Sequence, residues 1–216
     1  MTFASILLAG GQNKRMNQYP KWNLMMNEET MLQRSIRHLK DYSEEIIIVT
    51  GGEYQFSRVE EYHSTPIRVV YDPTPFLGPL NGIRTGLKES RHQYHFVVAA
   101  DMPFFSLEFA KYMVEQSEKN GVDIVIPRWN ERLQPLHGVY TQSLLDSMSK
   151  DLSEGKNSLV KWIMEQENKM IIDGKIVANY NRNQRMFFNM NHPEDYQQAL
   201  VWIKEEHCEK ENTKGN

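Results

Sequence analysis

Apolar runs of strand length alternate with amphipathic helical patterns along most of this chain, and this alternation limits the folds open to it. Such alternation is typical of repeated strand–helix–strand units, which build a largely parallel sheet. We therefore predict an α/β fold, with a single domain, a mostly parallel sheet and helices on both of its faces. The predicted strands cover residues 3–9, 45–50, 67–71, 94–100, 122–127, 136–140 and 186–189.

Helical periodicity and capping residues mark the segments between these strands. Ser106 can cap one helix, and Gly121 can end it. Asn191 can cap the last helix, while Glu194 reaches back to complete a capping box. The predicted helices cover residues 30–42, 56–62, 81–89, 107–120, 158–167 and a segment after Asn191.

Length and composition fit one globular domain in the cytoplasm. With 216 residues, 40% of them hydrophobic, the chain can bury a substantial core. The domain is expected to cover residues 1–205. Residues 206–216 are charged and lack apolar spacing, so they are expected to form a polar, frayed or disordered tail. The net charge of −3 argues against duplex DNA or an anionic membrane as the main partner. Cys208 is the one cysteine, so no internal disulfide is expected. The sequence shows neither a leader pattern nor a membrane-span pattern, so a cytoplasmic location is expected.

The first predicted strand stops at Gly10 and Gly11, and a polar segment with Lys14, Arg15 and Lys21 follows. Glycine lets the backbone approach a ligand and present N–H groups to anionic oxygens, which the cations then neutralise. We predict a phosphate-binding loop at the carboxyl end of this strand. The spacing matches neither G-x-G-x-x-G nor G-x-x-x-x-G-K-[ST], which disfavours a dinucleotide-binding fold and a P-loop enzyme. An ordinary turn with a basic surface is the alternative.

The strand at 94–100 delivers Asp101 to the same edge of the predicted sheet, and Pro103 prevents the chain from continuing as a helix. Mg²⁺ is typically held by one or two carboxylates together with substrate phosphates. We therefore predict that Asp101 binds a metal–triphosphate. The alternative is a carboxylate that only caps the following turn.

A third segment leaves the strand at 67–71 through Asp72 and reaches a helix through Gly78 and Pro79. Pro73 and Pro75 stiffen this loop, Gly78 allows a sharp change of direction, and Asn81 or Gly82 can open the helix behind it. A helix N-terminus reached in this way is suited to a polar or anionic ligand edge. By composition alone, a plain turn is the alternative.

Together these segments resemble the molybdenum cofactor guanylyltransferases, a branch of the nucleotidyltransferases with a glycosyltransferase-A-like, Rossmann-like α/β architecture. The resemblance covers most of the chain and depends on the order and number of short motifs. These motifs are Leu8-Ala9-Gly10-Gly11 with Arg15-Met16 and Lys21, Asp72, Gly78-Pro79-Leu80-Asn81-Gly82-Ile83, Asp101-Met102-Pro103, and residues 135–140 and 189–194.

The resemblance implies transfer of GMP from Mg-GTP to the phosphate of molybdopterin, with release of pyrophosphate and formation of a guanine dinucleotide cofactor. It implies Mg²⁺ as cofactor and GTP and molybdopterin, or the molybdenum cofactor, as substrates. Proteins that deliver the cofactor and chaperones of molybdoenzymes are further expected partners; nucleic acids and membranes are not. Catalytic roles fall to Arg15, Lys21 and Asp101, the metal to Asp101, and the acceptor to Asn189 and Asn191. Nucleotide binding falls to Leu8, Ala9, Gly10, Gly11, Lys21, Asp72, Gly78, Pro79, Leu80 and Asp101.

Some positions depart from the family pattern. Asn17 stands where glycine usually follows Arg-Met, although Asn tolerates a positive φ better than other non-glycine residues. His192 replaces the threonine before proline, and Thr50-Gly51-Gly52 replaces an end of the second strand that contains Asn. Among the histidines, His137 is the one that the resemblance places near the acceptor.

Three other functions stay open at this level. A cytidylyltransferase for the same pterin shares the glycine loop, although the Gly78–Ile83 motif favours the guanylyl branch. A sugar-phosphate nucleotidyltransferase shares the loop and the metal carboxylate, but its acceptor segment should differ from residues 189–194. A non-catalytic module would bind GTP without metal-dependent turnover.

Overall fold

A mixed β-sheet forms the centre of the computed structural model, which describes residues 2–10, 20–52, 65–74, 77–181 and 183–214, with side chains as far as Glu206. Its strands are β1 (Ala4–Leu8), β4 (Glu45–Thr50), β5 (Ile67–Tyr71), β6 (Tyr94–Ala99), β7 (Ile124–Trp129), β8 (Arg132–Leu133), β9 (His137–Thr141) and β10 (Lys169–Ile172). They lie in the order β10-β7-β9-β6-β1-β4-β5, and β8 pairs with β7. A separate antiparallel hairpin joins β2 (Met25–Met26) to β3 (Glu29–Thr30).

Most neighbouring strands run parallel, as the sequence predicts. β1 pairs in parallel with β4 and β6, β5 pairs in parallel with β4, and β10 with β7. β9 is antiparallel to both β6 and β7. Only residues 130–136, which include β8, connect β7 to β9. A parallel pairing needs a crossover of a dozen residues or more, so this short connection requires the reversal.

Helices cover both faces of the sheet, which confirms that prediction. The helices are α1 (Met31–Leu39), α2 (Pro79–Glu89), α3 (Leu107–Asn120), α4 (Leu145–Ser153), α5 (Leu159–Glu165), α6 (Gly174–Tyr180) and α7 (Pro193–Lys214). Leu7 faces the core formed with α1, α3 and α6, whereas Ile6 faces the core formed with α2, α4 and α5. Successive residues of a strand point to opposite faces, so each central strand contributes to both cores. None of the described helices is long and apolar enough to cross a membrane.

Capping signals in the sequence locate both ends of α3 correctly. The Ser106 hydroxyl accepts a hydrogen bond from the Phe109 amide at 3.2 Å, and Gly121 ends α3 with a φ of 62°. Both predictions at α3 are therefore confirmed. Thr30 and Gln33 form a capping box at the start of α1. Each cap satisfies backbone groups that the first or last turn of a helix leaves unpaired.

Other boundaries differ from the sequence prediction. Residues 186–189 form turns and irregular chain instead of a strand, and the Met186 amide donates to Asn181 Oδ1 at 3.0 Å. This contact occupies a backbone group that a strand ladder would use. α2 begins at Pro79, two residues earlier than predicted, because proline is well suited to the first helical position. The helix predicted at 56–62 lies outside the described residues.

The start of α7 also differs from the prediction. Pro193 is its first residue, and Asp195 Oδ2 accepts the amides of Asn191 at 2.8 Å and His192 at 2.7 Å. Asp195, and not Glu194, therefore reaches back, and the Asn191 side chain does not cap the helix. The helix then continues to Lys214, where the sequence predicts a frayed or disordered tail beyond Glu205.

A buried arginine ties α7 to the rest of the domain. The Arg34 side chain on α1 is 4% exposed, and its Nη2 lies 2.6 Å from Glu206 Oε2 on α7. Its Nε donates to the Pro103 carbonyl at 3.4 Å, which connects it to the turn after β6. A guanidinium away from water needs a charged partner, so Glu206 belongs to the folded domain.

We expect Glu206→Gln to lower the free energy of unfolding by about 1–3 kcal/mol, because it removes the nearer carboxylate of a buried guanidinium and leaves Glu29, whose Oε1 lies 3.9 Å from Nη1, as its charged partner. Urea unfolding measures the change. Glu205→Gln is the matched control, since Glu205 is 49% exposed and pairs with Arg185 at the surface. Its cost should stay below about 1 kcal/mol. Equal costs for the two variants would contradict a role for the Arg34–Glu206 pair in stability.

Two fully buried histidines lie in the core around β6 and β9. Burial lowers the pKa of His137 to about 3 and that of His95 to about 4. His137 Nε2 accepts the Ser106 amide at 3.2 Å, which fixes the neutral tautomer with hydrogen on Nδ1. The His137 ring packs against Phe96, with 4.9 Å between ring centroids. His137 therefore has a structural position in the core and is not an acceptor contact.

This burial makes folding sensitive to pH. The unfolded His137 takes up a proton near its ordinary pKa of 6.5, whereas the folded residue takes it up near 3, so a falling pH favours the unfolded state. Stability attributable to His137 is complete above pH 6.5 and declines below it. We expect His137→Gln, which keeps a neutral acceptor for Ser106, to flatten the decline by about 1 kcal/mol per pH unit between about pH 6 and pH 4. Urea titrations across that range test this, and parallel curves would contradict it.

Candidate active site

The carboxyl ends of four parallel strands meet at one edge of the sheet. The Ala9 amide donates to the Val49 carbonyl at 2.8 Å, and the Ala100 amide donates to the Leu8 carbonyl at 2.9 Å. The Asp72 amide donates to the Thr50 carbonyl at 2.8 Å in the same way. The loops after β1, β4, β5 and β6 are therefore neighbours, and open α/β sheets bind ligands at this edge.

Three predicted site residues come together at this edge. Lys21 Nζ lies 2.9 Å from Asp101 Oδ2 and 3.0 Å from Asn191 Oδ1. The lysine and aspartate side chains are 17% and 25% exposed. These three residues, which we call the Lys21 cluster, come from three distant parts of the sequence. A cation, a carboxylate and an amide oxygen thus share one half-buried place, where their electrostatic interactions exceed those of fully exposed groups.

Backbone hydrogen bonds hold each member of the Lys21 cluster in position. Lys21 starts a 3₁₀ turn that Trp22 anchors in the core, where its residue is 7% exposed. The Met190 amide donates to the Asp101 carbonyl at 3.0 Å, which fastens the segment before α7 to the turn after β6. Asp195 Oδ2 accepts from the backbone amide of Asn191 and holds this residue in place. The side-chain oxygen of Asn191 accepts from Lys21.

The segment around Asp72 forms a second part of the edge. Asp72 Oδ1 accepts from Asn81 Nδ2 at 2.6 Å and from the Thr74 amide at 3.0 Å. Gly78 precedes α2 with a φ of 96°, a conformation that favours glycine, and a Cβ added there would lie 3.4 Å from the Asn157 carbonyl oxygen. Glycine and Pro79 together therefore set the direction in which α2 begins.

Several predicted site residues take no part in these contacts. The side chain of Leu80 points from α2 into the core and is fully buried, so only the Leu80 backbone could contact a ligand. The Leu8 carbonyl and the Ala9 amide form hydrogen bonds with neighbouring strands of the sheet. Asn189 is half-buried, and its Nδ2 donates to the Phe187 carbonyl at 3.2 Å. Gly10 follows β1, next to the loop after β4, with 3.6 Å between a Cβ added at Gly10 and the Gly51 nitrogen. Gly11 and Arg15 lie outside the described residues.

The donors of the Lys21 cluster suit a hard divalent cation. Asp101 and Asn191 already hold the cationic ammonium of Lys21 through oxygen atoms. Among the described residues, no group of three or more His, Cys, Asp or Glu side chains could hold a metal by itself. Mg²⁺ often binds through one or two carboxylates and completes its shell with phosphates and water. The residues present fit a metal held jointly by the protein and a phosphorylated substrate.

Sequence reasoning missed the roles of Asn81 and Asp195. Asn81 is 2% exposed and connects the Asp72 segment to α2. A polar residue among apolar ones in the first turn of a helix was the available signal. Asp195 is the third residue of α7, the position from which an acidic side chain reaches back to the helix start.

Comparison with known proteins gives independent evidence on the family and the fold. Residues 5–169 match the family model of the MobA-like NTP transferase domain. A Methanosarcina mazei protein named "Probable molybdenum cofactor guanylyltransferase" is 32% identical over 207 residues, which cover 94% of this chain and 92% of that protein. The crystal structure of molybdopterin-guanine dinucleotide biosynthesis protein A from Archaeoglobus fulgidus has a TM-score of 0.79 at 20% identity, covering 94% of this chain and 100% of that one.

A more distant structural neighbour contains a metal. The crystal structure of Rv0371c in complex with manganese, from Mycobacterium tuberculosis, has a TM-score of 0.60 at 15% identity and covers 93% of this chain and 99% of that one. At this identity it supports the common fold alone. The family model spans most of the chain, and the Methanosarcina relative matches nearly its full length. This chain belongs to the family of MobA-like NTP transferases.

Proposed function

We propose that this protein transfers GMP from Mg-GTP to the phosphate of molybdopterin, releasing pyrophosphate and forming a guanine dinucleotide cofactor. The observation that carries the proposal is the Lys21 cluster, in which a lysine joins the carboxylate after β6 to an amide before α7. The name of the Methanosarcina relative supports the choice of nucleotide and acceptor. The site then lies where the nucleotide and the acceptor meet.

Positioning and charge stabilisation would supply the catalysis. A phosphate monoester is already ionised near neutral pH, so its attack on the α-phosphorus of GTP needs no strong general base. Lys21 and Arg15 would balance the charge that moves onto the departing pyrophosphate. The backbone at Gly10 and Gly11 would approach the triphosphate closely, because no side chain intervenes there.

Asp101 is the residue that would hold Mg²⁺. When bound, the ion would neutralise phosphate charge, which lowers the barrier to nucleotidyl transfer. Lys21 contacts Asp101 directly and would keep the carboxylate in place. Asp72 would serve the nucleoside, together with the backbone at Gly78, Pro79 and Leu80.

The acceptor would lie toward the start of α7. Asn191 contacts Lys21, and Asn189 is two residues away; both side-chain amides would orient a phosphorylated pterin. Lys21 bridges Asp101 and Asn191, so it would link the metal side of the cluster to the acceptor side. This geometry would align the attacking phosphate with the nucleotide.

We expect Asp101→Asn to lower the rate of GMP transfer by about 10²-fold or more, because the amide keeps the shape but not the charge that attracts a divalent cation. Mn²⁺ binding, followed by its electron paramagnetic resonance signal, should weaken in parallel. Asp146→Asn, at an exposed position on α4, is the control and should change neither measurement. Normal turnover in Asp101→Asn would reduce Asp101 to a structural partner of Lys21.

Nucleotide choice separates the proposal from its rivals. Pyrophosphate release from each NTP, with and without molybdopterin, should show a kcat/KM for GTP at least about tenfold above that for CTP, equivalent to about 1.4 kcal/mol. Equal values would contradict the guanylyl assignment and favour a cytidylyltransferase. Release that depends on a sugar phosphate would favour the sugar-nucleotide alternative, and GTP binding without release would favour a non-catalytic module.

A further inference from the structure

A buried amide joins the segment after β5 to the first turn of α2. Asn81 is 2% exposed, and its Nδ2 lies 2.6 Å from Asp72 Oδ1, 3.0 Å from Thr74 Oγ1 and 3.2 Å from the Thr74 carbonyl oxygen. Its Oδ1 accepts from Arg84 Nε at 3.2 Å. One side chain on a rigid helix therefore holds two residues of the preceding segment.

The charges around Asn81 fix the orientation of its amide. A guanidinium can only donate, so Arg84 must face the amide oxygen, and an ionised carboxylate can only accept, so Asp72 must face the amide nitrogen. If the amide were flipped, its NH₂ group would face the Arg84 donor and its oxygen would face the Asp72 acceptor. The Asp72–Asn81–Arg84 chain is thus a preorganised arrangement with one stable direction.

This arrangement leaves one oxygen of Asp72 with acceptor capacity. Both hydrogen bonds that the structure shows for this carboxylate, from Asn81 and Thr74, go to Oδ1. Oδ2 makes no hydrogen bond to any of the residues described. The side chain is half-buried at the carboxyl end of β5, on the same edge as the Lys21 cluster.

We propose that Asn81 is a positioning residue for nucleotide recognition: it fixes Asp72 so that Oδ2 can accept a hydrogen bond from the nucleoside half of GTP. The ligand chemistry is an N–H or O–H donor, which guanine offers at N1 and its 2-amino group and ribose offers at its hydroxyls. The inference rests on the proposed function. It adds a residue whose effect reaches the substrate only through Asp72.

A purely structural role for Asn81 makes a different prediction. If Asn81 only stabilised the domain, its replacement would weaken the binding of every ligand at this edge by the same factor. If Asn81 positions Asp72, its replacement weakens the binding of the nucleoside and leaves the binding of the phosphates, which other residues contact, unchanged. Inorganic triphosphate, which has no nucleoside, distinguishes these two cases.

Calorimetric titration of Asn81→Ala with GTP and with inorganic triphosphate, both with Mg²⁺, tests the inference. Alanine is the best helix former, so α2 should persist. We expect GTP affinity to fall about tenfold, the equivalent of about 1.4 kcal/mol, and triphosphate affinity to stay within about twofold. Steady-state assays should show a raised KM for GTP with kcat little changed. Asn81→Asp, which keeps the volume but sets a carboxylate against Asp72, should give a larger loss for GTP alone.

Thr85→Val is the matched control. Thr85 lies one turn further along α2, is 4% exposed, and its hydroxyl has no hydrogen-bond partner among the described residues. The substitution keeps the shape of a buried side chain on the same helix, and it should leave both affinities within about twofold of the wild type. A loss of GTP affinity in Thr85→Val equal to that in Asn81→Ala would mean that α2 packing is responsible.

A double-mutant cycle checks that Asn81 acts through Asp72. In an Asp72→Asn background, Asn81→Ala should change GTP affinity by less than about twofold, because the acceptor it positions is already gone. ITP lacks the 2-amino group and 2′-deoxy-GTP lacks one ribose hydroxyl. If Asp72 accepts from the 2-amino group, Asn81→Ala should have little effect on ITP binding, and if it accepts from the 2′-hydroxyl, the variant should have little effect on 2′-deoxy-GTP binding. Equal losses for both analogues would assign the hydrogen bond to N1–H or the 3′-hydroxyl.

Equal losses for GTP and triphosphate, or no loss at all in Asn81→Ala, would overturn the inference. Fully additive effects in the cycle would overturn it as well. Failure of the proposed function looks different: the wild type would bind GTP but release no pyrophosphate with molybdopterin, while the Asn81→Ala affinity difference persisted. A wild-type protein that bound no GTP would reject both.

Discussion

Parallel pairing of β1 with β4 and β6 is the constraint on which the rest of this structure depends. A parallel ladder points every carboxyl end to one edge and sends each connection back across a face of the sheet. The loops after β1, β4, β5 and β6 are therefore neighbours, although long stretches of sequence separate them. The two hydrophobic cores that form under the returning helices hold this edge rigid.

The charged and polar contacts of Lys21 connect the chain segments that meet at this edge of the sheet. Lys21 reaches Asp101 across 80 positions of sequence and Asn191 across 170. An exposed ion pair contributes little to stability, and a half-buried one is expensive to assemble without further hydrogen bonds. Here Asn191 Oδ1 supplies one by accepting from Lys21 Nζ, while the Met190 amide on the Asp101 carbonyl and the Asp195 carboxylate on the Asn191 backbone amide hold the two chain segments in place. The cluster is therefore better suited to preorganising charge for a ligand than to stabilising the fold.

Polar contacts between distant segments make the outer parts of the domain continuous with its centre. Arg34 joins α1 to the turn after β6 and to Glu206 on α7, so α7 is anchored near the turn that carries Asp101. Asn81 does the same for the Asp72 segment and α2. Each contact holds a loop or helix end at the sheet edge in place before any ligand binds, which is how preorganised sites keep their geometry.

The sequence by itself determined the α/β class, the central strands and both ends of α3, because periodicity and capping are local signals. It also marked Lys21, Asp101 and Asn191 as separate candidates. It missed the helices α4 and α6, the strand β10 and the two-residue strands β2, β3 and β8, and it assigned a strand to 186–189, where a contact with Asn181 prevails. Only the tertiary structure decided that Lys21 joins Asp101 to Asn191, that Glu206 pairs with a buried arginine, and that Asn81 holds Asp72. Each of these contacts depends on chain segments that meet only after the sheet has formed, so no local pattern could encode them.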